Sequence, residues 1–239
     1  MLLEKKTIMP SYKNIPIRAA EGLHEACFDV VKRCCPENGR ILDIAAGAGA
    51  FSMRLLDAGY EVAANDIDDK AWAVTGLSKY TIDLNHTLDH SIFKPPYDLI
   101  VAMEVIEHLQ NPTKLLIDCR ELVKDNGFVL ISTPNVLDAD SRFNFLRKGT
   151  LYHFSPQSYM ATGHQTILPY WLLELFFAQT ELVVIERKFG GFHPRETNGA
   201  KSMLTLIIIR TLRFLMKHSF KNELSANYII YLLQKKRYK

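Results

Sequence analysis

Apolar residues along the chain follow two alternating patterns. Short, nearly continuous apolar runs predict buried strands, and segments with apolar residues three or four positions apart predict amphipathic helices. The predicted strands are Arg40–Ile44, Tyr60–Asn65, Tyr80–Leu84, Tyr97–Met103, Phe128–Thr133, Glu181–Arg187 and Asn227–Gln234. The predicted helices are 17–35, 51–58, 69–76, a segment that begins at Pro112, 169–178 and 203–220. This alternation predicts an α/β fold with a doubly wound, mostly parallel seven-stranded sheet.

Composition and charge narrow the class of protein. With 48% apolar and 23% charged residues, the chain has the composition of a soluble globular protein. Its formal net charge of +3 does not indicate a nucleic-acid-binding protein. The four cysteines lack C-x-x-C spacing and are predicted to be reduced thiols. No secretory signal or apolar run of membrane-spanning length is visible, so we expect a cytoplasmic location.

The turn after the first predicted strand contains only alanine and glycine, from Ala45 to Ala50. Such a turn lets a ligand lie against the backbone, and the following helix directs free N–H groups at it. Asp43 precedes the turn, and Asp66 and Asp83 lie at the ends of the next two strands. Asp43 suits a cationic amino group, Asp66 the hydroxyls of a ribose, and Asp83 an adenine amine. This set favours S-adenosylmethionine over a dinucleotide, because the turn also lacks the third glycine of G-x-G-x-x-G.

Residues 40–135 resemble the class I S-adenosylmethionine-dependent methyltransferases, whose fold is Rossmann-like. The family's D-x-G-x-G-x-G segment falls on Asp43, Ala45, Gly47 and Gly49, so alanine replaces the first glycine. Met103–Leu109 and Thr133-Pro134-Asn135 resemble segments of an O-methyltransferase branch. The resemblance implies cofactor contacts for Asp43, Ala45, Gly47, Gly49, Phe51, Asp66, Ile67, Asp83, Leu84 and Glu104.

We interpret residues 1–239 as a single methyltransferase domain in three parts. Residues 1–36 form an N-terminal arm and helix, and residues 37–135 form the cofactor-binding core. Residues 136–239 form an acceptor-side insert and the C-terminal half of the sheet. The regular alternation stops after Thr133, so residues 134–168 are predicted to be rich in loops.

The segment E-x-x-E-H, formed by Glu104, Glu107 and His108, carries the candidate catalytic chemistry. It resembles a segment of magnesium-dependent O-methyltransferases that act on quinone precursors and on the 3′ end of small RNAs. On a helical turn Glu104, Glu107 and His108 share a face, and their donor groups suit a divalent ion, which is Mg²⁺ in those families. His153 and His164, after the fifth strand, are further candidate ligands, and the predicted set is Glu104, Glu107, His108 and His153. Alternatively, His108 is a general base and Glu107 its catalytic partner, without a metal. A purely structural role for the acids and His108 remains a third reading.

The acceptor is expected to bind the insert and the N-terminal arm. Aromatic, Arg and Asn residues in 141–154 suit a sugar, and they resemble methyltransferases encoded with bacterial surface-polysaccharide enzymes. O-methylation of a sugar or glycan intermediate is therefore the leading expectation, and an aromatic or quinone-type small molecule is the alternative. A nucleic-acid acceptor is disfavoured by the charge, and an inactive cofactor-binding scaffold is an alternative of another class. The helix 203–220 suggests either a peripheral membrane contact or a lid or homodimer face.

Overall fold

A seven-stranded sheet forms the centre of the protein. The computed structural model describes residues 10–77, 79–191 and 225–236, with a few isolated residues between 203 and 214. The sheet has the order β5-β4-β3-β6-β7-β9-β8, in which β9 pairs antiparallel with both neighbours and the remaining pairs are parallel. Its strands are β3 (Arg40–Ile44), β4 (Glu61–Asn65), β5 (Lys79–Tyr80), β6 (Tyr97–Met103), β7 (Val123–Pro134), β8 (Leu182–Gly190) and β9 (Tyr228–Lys235). The predicted α/β fold with a doubly wound, mostly parallel sheet is therefore confirmed.

Helices cover both faces of the sheet, so its central strands are buried and consist largely of branched apolar residues. The helices are α1 (Leu23–Cys34), α2 (Ala50–Asp57), α3 (Pro112–Leu122), α4 (Ala139–Lys148), α5 (Pro156–Thr162) and α6 (Tyr170–Gln179). Helices α1 and α2 pack on one face, and α3 and α6 pack on the other. Asn111 caps α3, because its side chain accepts the N–H of Lys114, and Pro112 follows at the first helical position.

Residues 11–16 of the N-terminal arm form a hairpin. Strands β1 (Ser11–Tyr12) and β2 (Ile15–Pro16) pair antiparallel. The hydroxyl of Tyr12 donates to Asp57 at 2.8 Å, and the ammonium group of Lys13 lies 2.7 Å from the same carboxylate. These contacts hold the arm against α2 and bring residues 16–20 over the carboxyl edge of the sheet.

The predicted helix at 69–76 is wrong. The carboxylate of Asp68 accepts the N–H groups of Lys70 and Ala71, which starts a turn. Trp72 and Val74 then pack against the small residues of the alanine-glycine turn. The third strand is also shorter than predicted, because β5 pairs with β4 only at two positions and the chain leaves the sheet before Asp83.

Residues 134–168 contain two helices where loops were predicted. Asp138 and Ser155 cap α4 and α5, each accepting a backbone N–H three residues later. Phe145 and Leu146 of α4 are exposed, so the helix has little of the buried apolar face from which helices are predicted. Most of the predicted helix 203–220 lies outside the described residues.

Candidate active site

A cleft of about 840 Å³ lies along the carboxyl ends of β3, β4 and β6. This is the edge at which open parallel sheets bind ligands. Its lining includes predicted site residues from separate parts of the chain, namely Ala45, Asp66, Ile67, Asp83, Leu84, Glu104 and His108. The arm and the insert also contribute, through Arg18, Ala19 and the segment Ala161–His164. Residues predicted to bind the cofactor and residues predicted to be catalytic therefore line one cavity.

The alanine-glycine turn has one open position and one crowded position. A Cβ atom on Gly47 would meet no atom within 4 Å, so the backbone here is accessible to a ligand. A Cβ atom on Gly49 would lie 2.4 Å from Val74 and 2.9 Å from Trp72, so this glycine permits close packing. Ala45 has φ of +56°, a left-handed conformation that glycine adopts readily and alanine disfavours. The replacement of the first glycine by alanine therefore leaves a strained residue at the edge of the cleft.

The carboxylate of Asp66 lies directly beside this turn. One oxygen accepts the N–H of Gly47 at 2.7 Å, and the other accepts the N–H of Asp68 at 2.8 Å. Because a carboxylate oxygen can accept more than one hydrogen bond, the group retains acceptor capacity toward the cleft. The role of Asp66 toward a ribose stays a prediction.

Asp43 lies below the turn, beside a second cavity of about 50 Å³. It is buried, and the hydroxyl of Ser52 donates to it at 2.5 Å. Burial raises the pKa of Asp43 to about 7. Arg18, Ala19 and Ala45 line both cavities, so the smaller cavity lies beside the main cleft. Phe51 lines the smaller cavity, but its ring belongs mainly to the core between α1 and α2.

Asp83 and Leu84 form another part of the cleft wall. The carboxylate of Asp83 accepts the backbone N–H of Asn85 at 2.9 Å, which fixes its position and lowers its pKa. Leu84 is buried, whereas Ile67 is 64% exposed beside the cleft. An acid between apolar side chains suits the amine and the faces of an adenine, as predicted from the sequence.

The two acids of the E-x-x-E-H segment differ in exposure: Glu107 is withdrawn from water, and Glu104 is half-buried at the wall of the cleft. Glu107 is fully buried; one carboxylate oxygen accepts the hydroxyl of Thr133 at 3.0 Å, and the other has no hydrogen-bond partner among the described residues. Burial, with the nearby charge of Glu104, raises the pKa of Glu107 well above its usual value. Burial also raises the pKa of Glu104 to about 7. The pair therefore favours holding a proton at neutral pH.

His108 faces His164, a residue from the insert. The two rings are edge-to-face with centroids 4.7 Å apart. Burial lowers the pKa of both histidines, and the neighbouring His164 lowers the pKa of His108 further. The two imidazoles are therefore neutral at neutral pH and can accept a proton or bind a metal ion. The backbone carbonyl of Glu107 accepts the N–H groups of Gln165 and Thr166, at 3.1 and 3.0 Å, which holds the insert against this segment.

The donor set of Glu107, His108 and His164 fits a divalent cation. One ligand atom from each residue lies within 4.8 Å of the others. The unpartnered carboxylate oxygen of Glu107 lies 4.0 Å from Nε2 of His108, where a cation would satisfy it. Two imidazoles with one carboxylate suit borderline ions such as Mn²⁺, Fe²⁺ or Zn²⁺ better than Mg²⁺, which prefers oxygen ligands.

Two of the four predicted metal ligands lie outside this group. Glu104 is next to Ser132, whose hydroxyl donates to it at 3.3 Å. His153 packs on Tyr152, and its backbone carbonyl is 3.1 Å from Nδ1 of His164, so it contacts the group through main chain. Sequence reasoning assigned no role to Arg18, whose position depends on the folding of the arm onto α2. It gave His164 only as one of two histidines after the fifth strand.

No helix among the described residues is long and apolar enough to cross a lipid bilayer.

Comparison with known proteins places this chain in a family. A sequence profile of a methyltransferase domain matches residues 19–194. The chain is 31% identical over 126 residues to a ubiquinone biosynthesis O-methyltransferase of Roseobacter denitrificans, which covers 46% of this chain and 51% of that protein. It is 28% identical over 173 residues to the protein of the same name from Burkholderia vietnamiensis, which covers 65% of this chain and 69% of that protein. The chain thus spans about half the length of the first of these curated relatives.

The fold agrees with that of solved methyltransferases. A structure of a SAM dependent methyltransferase from Archaeoglobus fulgidus matches with a TM-score of 0.60, covering 89% of this chain and 94% of that chain at 15% identity. The order of the sheet and the position of the cleft are consistent with this likeness. Because the sequence profile covers most of the chain, the protein belongs to the methyltransferase domain family and has the class I methyltransferase fold.

Proposed function

We propose that the protein transfers the methyl group of S-adenosylmethionine to a hydroxyl of an aromatic, quinone-type small molecule. One observation carries the proposal: the acids suited to the nucleoside and the neutral pair His108 and His164 line the same cleft. The relatives named as ubiquinone biosynthesis O-methyltransferases favour an aromatic acceptor. They favour it over the sugar or glycan acceptor that the sequence led us to expect first.

The walls of the cleft suit the parts of the cofactor in order. Asp66 would accept the ribose hydroxyls beside the open backbone of Gly47. Asp83 would accept the adenine amine, with Leu84 and Ile67 against the ring. The amino-acid end would then lie toward Asp43 and the smaller cavity. This orientation directs the sulfonium toward the part of the cleft that Glu104 and His108 line.

The chemistry requires a deprotonated oxygen nucleophile. In the proposed step, the acceptor oxygen forms a bond to the methyl carbon while the carbon–sulfur bond breaks. The electron pair of that bond remains on sulfur, so S-adenosylhomocysteine leaves as a neutral thioether. His108 accepts the hydroxyl proton, because burial and the neighbouring His164 keep its imidazole neutral. Backbone hydrogen bonds to Gly163 and Thr162 orient this imidazole. The free carboxylate oxygen of Glu107 lies 4.0 Å from Nε2 of His108, so Glu107 would act on the ring through its electrostatic field and not through a hydrogen bond.

A metal ion is compatible with the same residues. Glu107, His108 and His164 would hold it, and when bound it would lower the pKa of a coordinated acceptor hydroxyl. Acids and imidazoles around a cation would also align an acceptor with two neighbouring hydroxyls. The base and metal roles of His108 exclude each other, so they make different predictions for chelator treatment.

A substrate screen tests the proposal. The full chain is incubated with S-adenosylmethionine labelled in its methyl group and with dihydroxybenzoates, alkyl catechols and sugar nucleotides. Label transfer to the catechols with His108→Ala strongly impaired is the expected result. Transfer to sugar nucleotides alone would overturn the aromatic acceptor, and cofactor binding without transfer to any of the acceptors would favour an inactive scaffold.

A further inference from the structure

A buried histidine lies at the smaller cavity and is not used in the mechanism above. His24, in α1, is only 6% exposed. Its Nδ1 atom has no hydrogen-bond partner among the residues that the structure describes. Its ring packs edge-to-face on Phe51, with centroids 5.2 Å apart. Packing accounts for an aromatic ring at this position but not for a buried polar nitrogen, and buried polar groups are normally paired.

The cavity beside His24 has the size and charge of a site for a small polar group. Its volume of about 50 Å³ exceeds that needed by one water molecule. Asp43 supplies an acid at its wall, and Arg18 also lines it, with a half-exposed guanidinium that lies 3.8 Å from the carboxylate of Asp68. An acid and a cation in one small cavity complement a zwitterion, which carries an ammonium and a carboxylate on the same carbon.

We propose that His24 is a positioning residue that hydrogen-bonds, through Nδ1, the amino-acid end of the cofactor. The assignment rests on the proposed function, which directs that end of S-adenosylmethionine toward this cavity. Burial lowers the pKa of His24 to about 4, so the ring is neutral at pH 7. A neutral ring offers the ligand a directional hydrogen bond and adds no charge to a cavity that Asp43 and Arg18 also line. The bond restrains rotation of the amino-acid chain and with it the direction of the sulfonium methyl group.

Two ligands separate this role from a packing role. S-adenosylhomocysteine has the amino-acid end, and 5′-methylthioadenosine has the same nucleoside thioether without it. His24→Phe keeps an aromatic ring against Phe51 but removes both nitrogens. Calorimetry on the full chain should show about tenfold weaker binding of S-adenosylhomocysteine by His24→Phe. The affinity for 5′-methylthioadenosine should stay within twofold of wild type.

A second pair of variants shows which ring nitrogen of His24, Nδ1 or Nε2, forms the hydrogen bond to the ligand. An Asn side chain places its amide near the position of Nδ1, whereas a Gln side chain places it near Nε2. His24→Asn should therefore retain more affinity for S-adenosylhomocysteine than His24→Gln, and this comparison decides the matter if His24→Phe does not fold. Equal losses for both ligands, or no loss for either, would overturn the role of His24. If the wild type binds neither ligand, the proposed function is overturned, and this assignment with it.

Discussion

The carboxylate of Asp66 accepts the backbone N–H of Gly47 at 2.7 Å. This contact joins the end of β4 to the turn after β3, so the two elements proposed to bind the cofactor hold each other in position. The second carboxylate oxygen is held by the N–H of Asp68. The acid is therefore oriented by two backbone donors, and a ligand need not order it on binding.

Replacement of Asp66 by Asn tests this arrangement. Asn keeps the size of the side chain but loses the charge, and its amide nitrogen cannot accept a hydrogen bond. We expect Asp66→Asn to weaken S-adenosylhomocysteine binding at least about tenfold by calorimetry. Asp125→Asn is the matched control, because Asp125 is 82% exposed and pairs only with Lys235 among its described contacts. Wild-type affinity in Asp66→Asn would exclude the ribose assignment.

The left-handed backbone at Ala45 gives a prediction for stability. Ala45→Gly relieves the strain of φ +56°, and the gain exceeds the added entropy of glycine in the unfolded chain. We expect the free energy of unfolding to rise by about 1 kcal/mol, which raises the thermal midpoint by about 2–4 °C. Ala46→Gly is the control: its φ is negative, so it should lower stability by about 0.5–1 kcal/mol. A lower midpoint in Ala45→Gly would contradict the strain.

The group Glu107, His108 and His164 predicts a measurable cation site. Titration with Mn²⁺, followed by electron paramagnetic resonance, should detect binding to the wild type. Glu107→Gln and His164→Ala should each weaken that binding by at least about tenfold. His86→Ala is the control, because the side chain of His86 is 80% exposed and lies outside the group.

Chelator treatment then separates the two roles of His108. If a cation activates the acceptor, EDTA should abolish methyl transfer and Mn²⁺ should restore it. Turnover that is insensitive to EDTA but lost in His108→Ala would assign His108 as the base.

His24 also predicts how stability depends on pH. Its folded pKa of about 4 lies below the ordinary 6.5, so near pH 5 the unfolded chain binds a proton that the folded chain does not. His24 should therefore contribute about 3 kcal/mol of lost stability at pH 4. The raised pKa values of Asp43, Glu104 and Glu107 act in the opposite direction over the same pH range, so the His24 contribution is read from the difference between wild type and variant. His24→Phe should remove that part of the loss in urea denaturation at pH 7, 5 and 4. Parallel curves for wild type and variant would contradict a buried, neutral His24.

The sequence predicted the cofactor half of the site more fully than the acceptor half, for a physical reason. Asp43, Gly47 and Asp66 are placed by strands and a turn that local periodicity and small residues reveal. His164 and Arg18 reach the cleft through long-range contacts: the N–H groups of Gln165 and Thr166 on the carbonyl of Glu107, and the arm hairpin on Asp57.

Local packing explains the remaining differences. Residues 69–76 were predicted to be helical, but Trp72 packs on the turn at Gly49, and the segment forms turns and bends instead of a helix. The helix α4 was missed because its Phe145 and Leu146 are exposed, which removes the apolar stripe that identifies a helix. The left-handed conformation of Ala45 has no signal in its own residue type.

The backbone hydrogen bonds from Gln165 and Thr166 to the carbonyl of Glu107 join the insert, the proposed acceptor side, to the segment that carries the proposed base. If residues 136–168 were replaced by those of another methyltransferase, the imidazole of His108, next to Glu107, would shift together with the acceptor side of the cleft. A chimera designed to change the acceptor should therefore take the segment around Glu107 and the segment around Gln165 and Thr166 from the same parent protein.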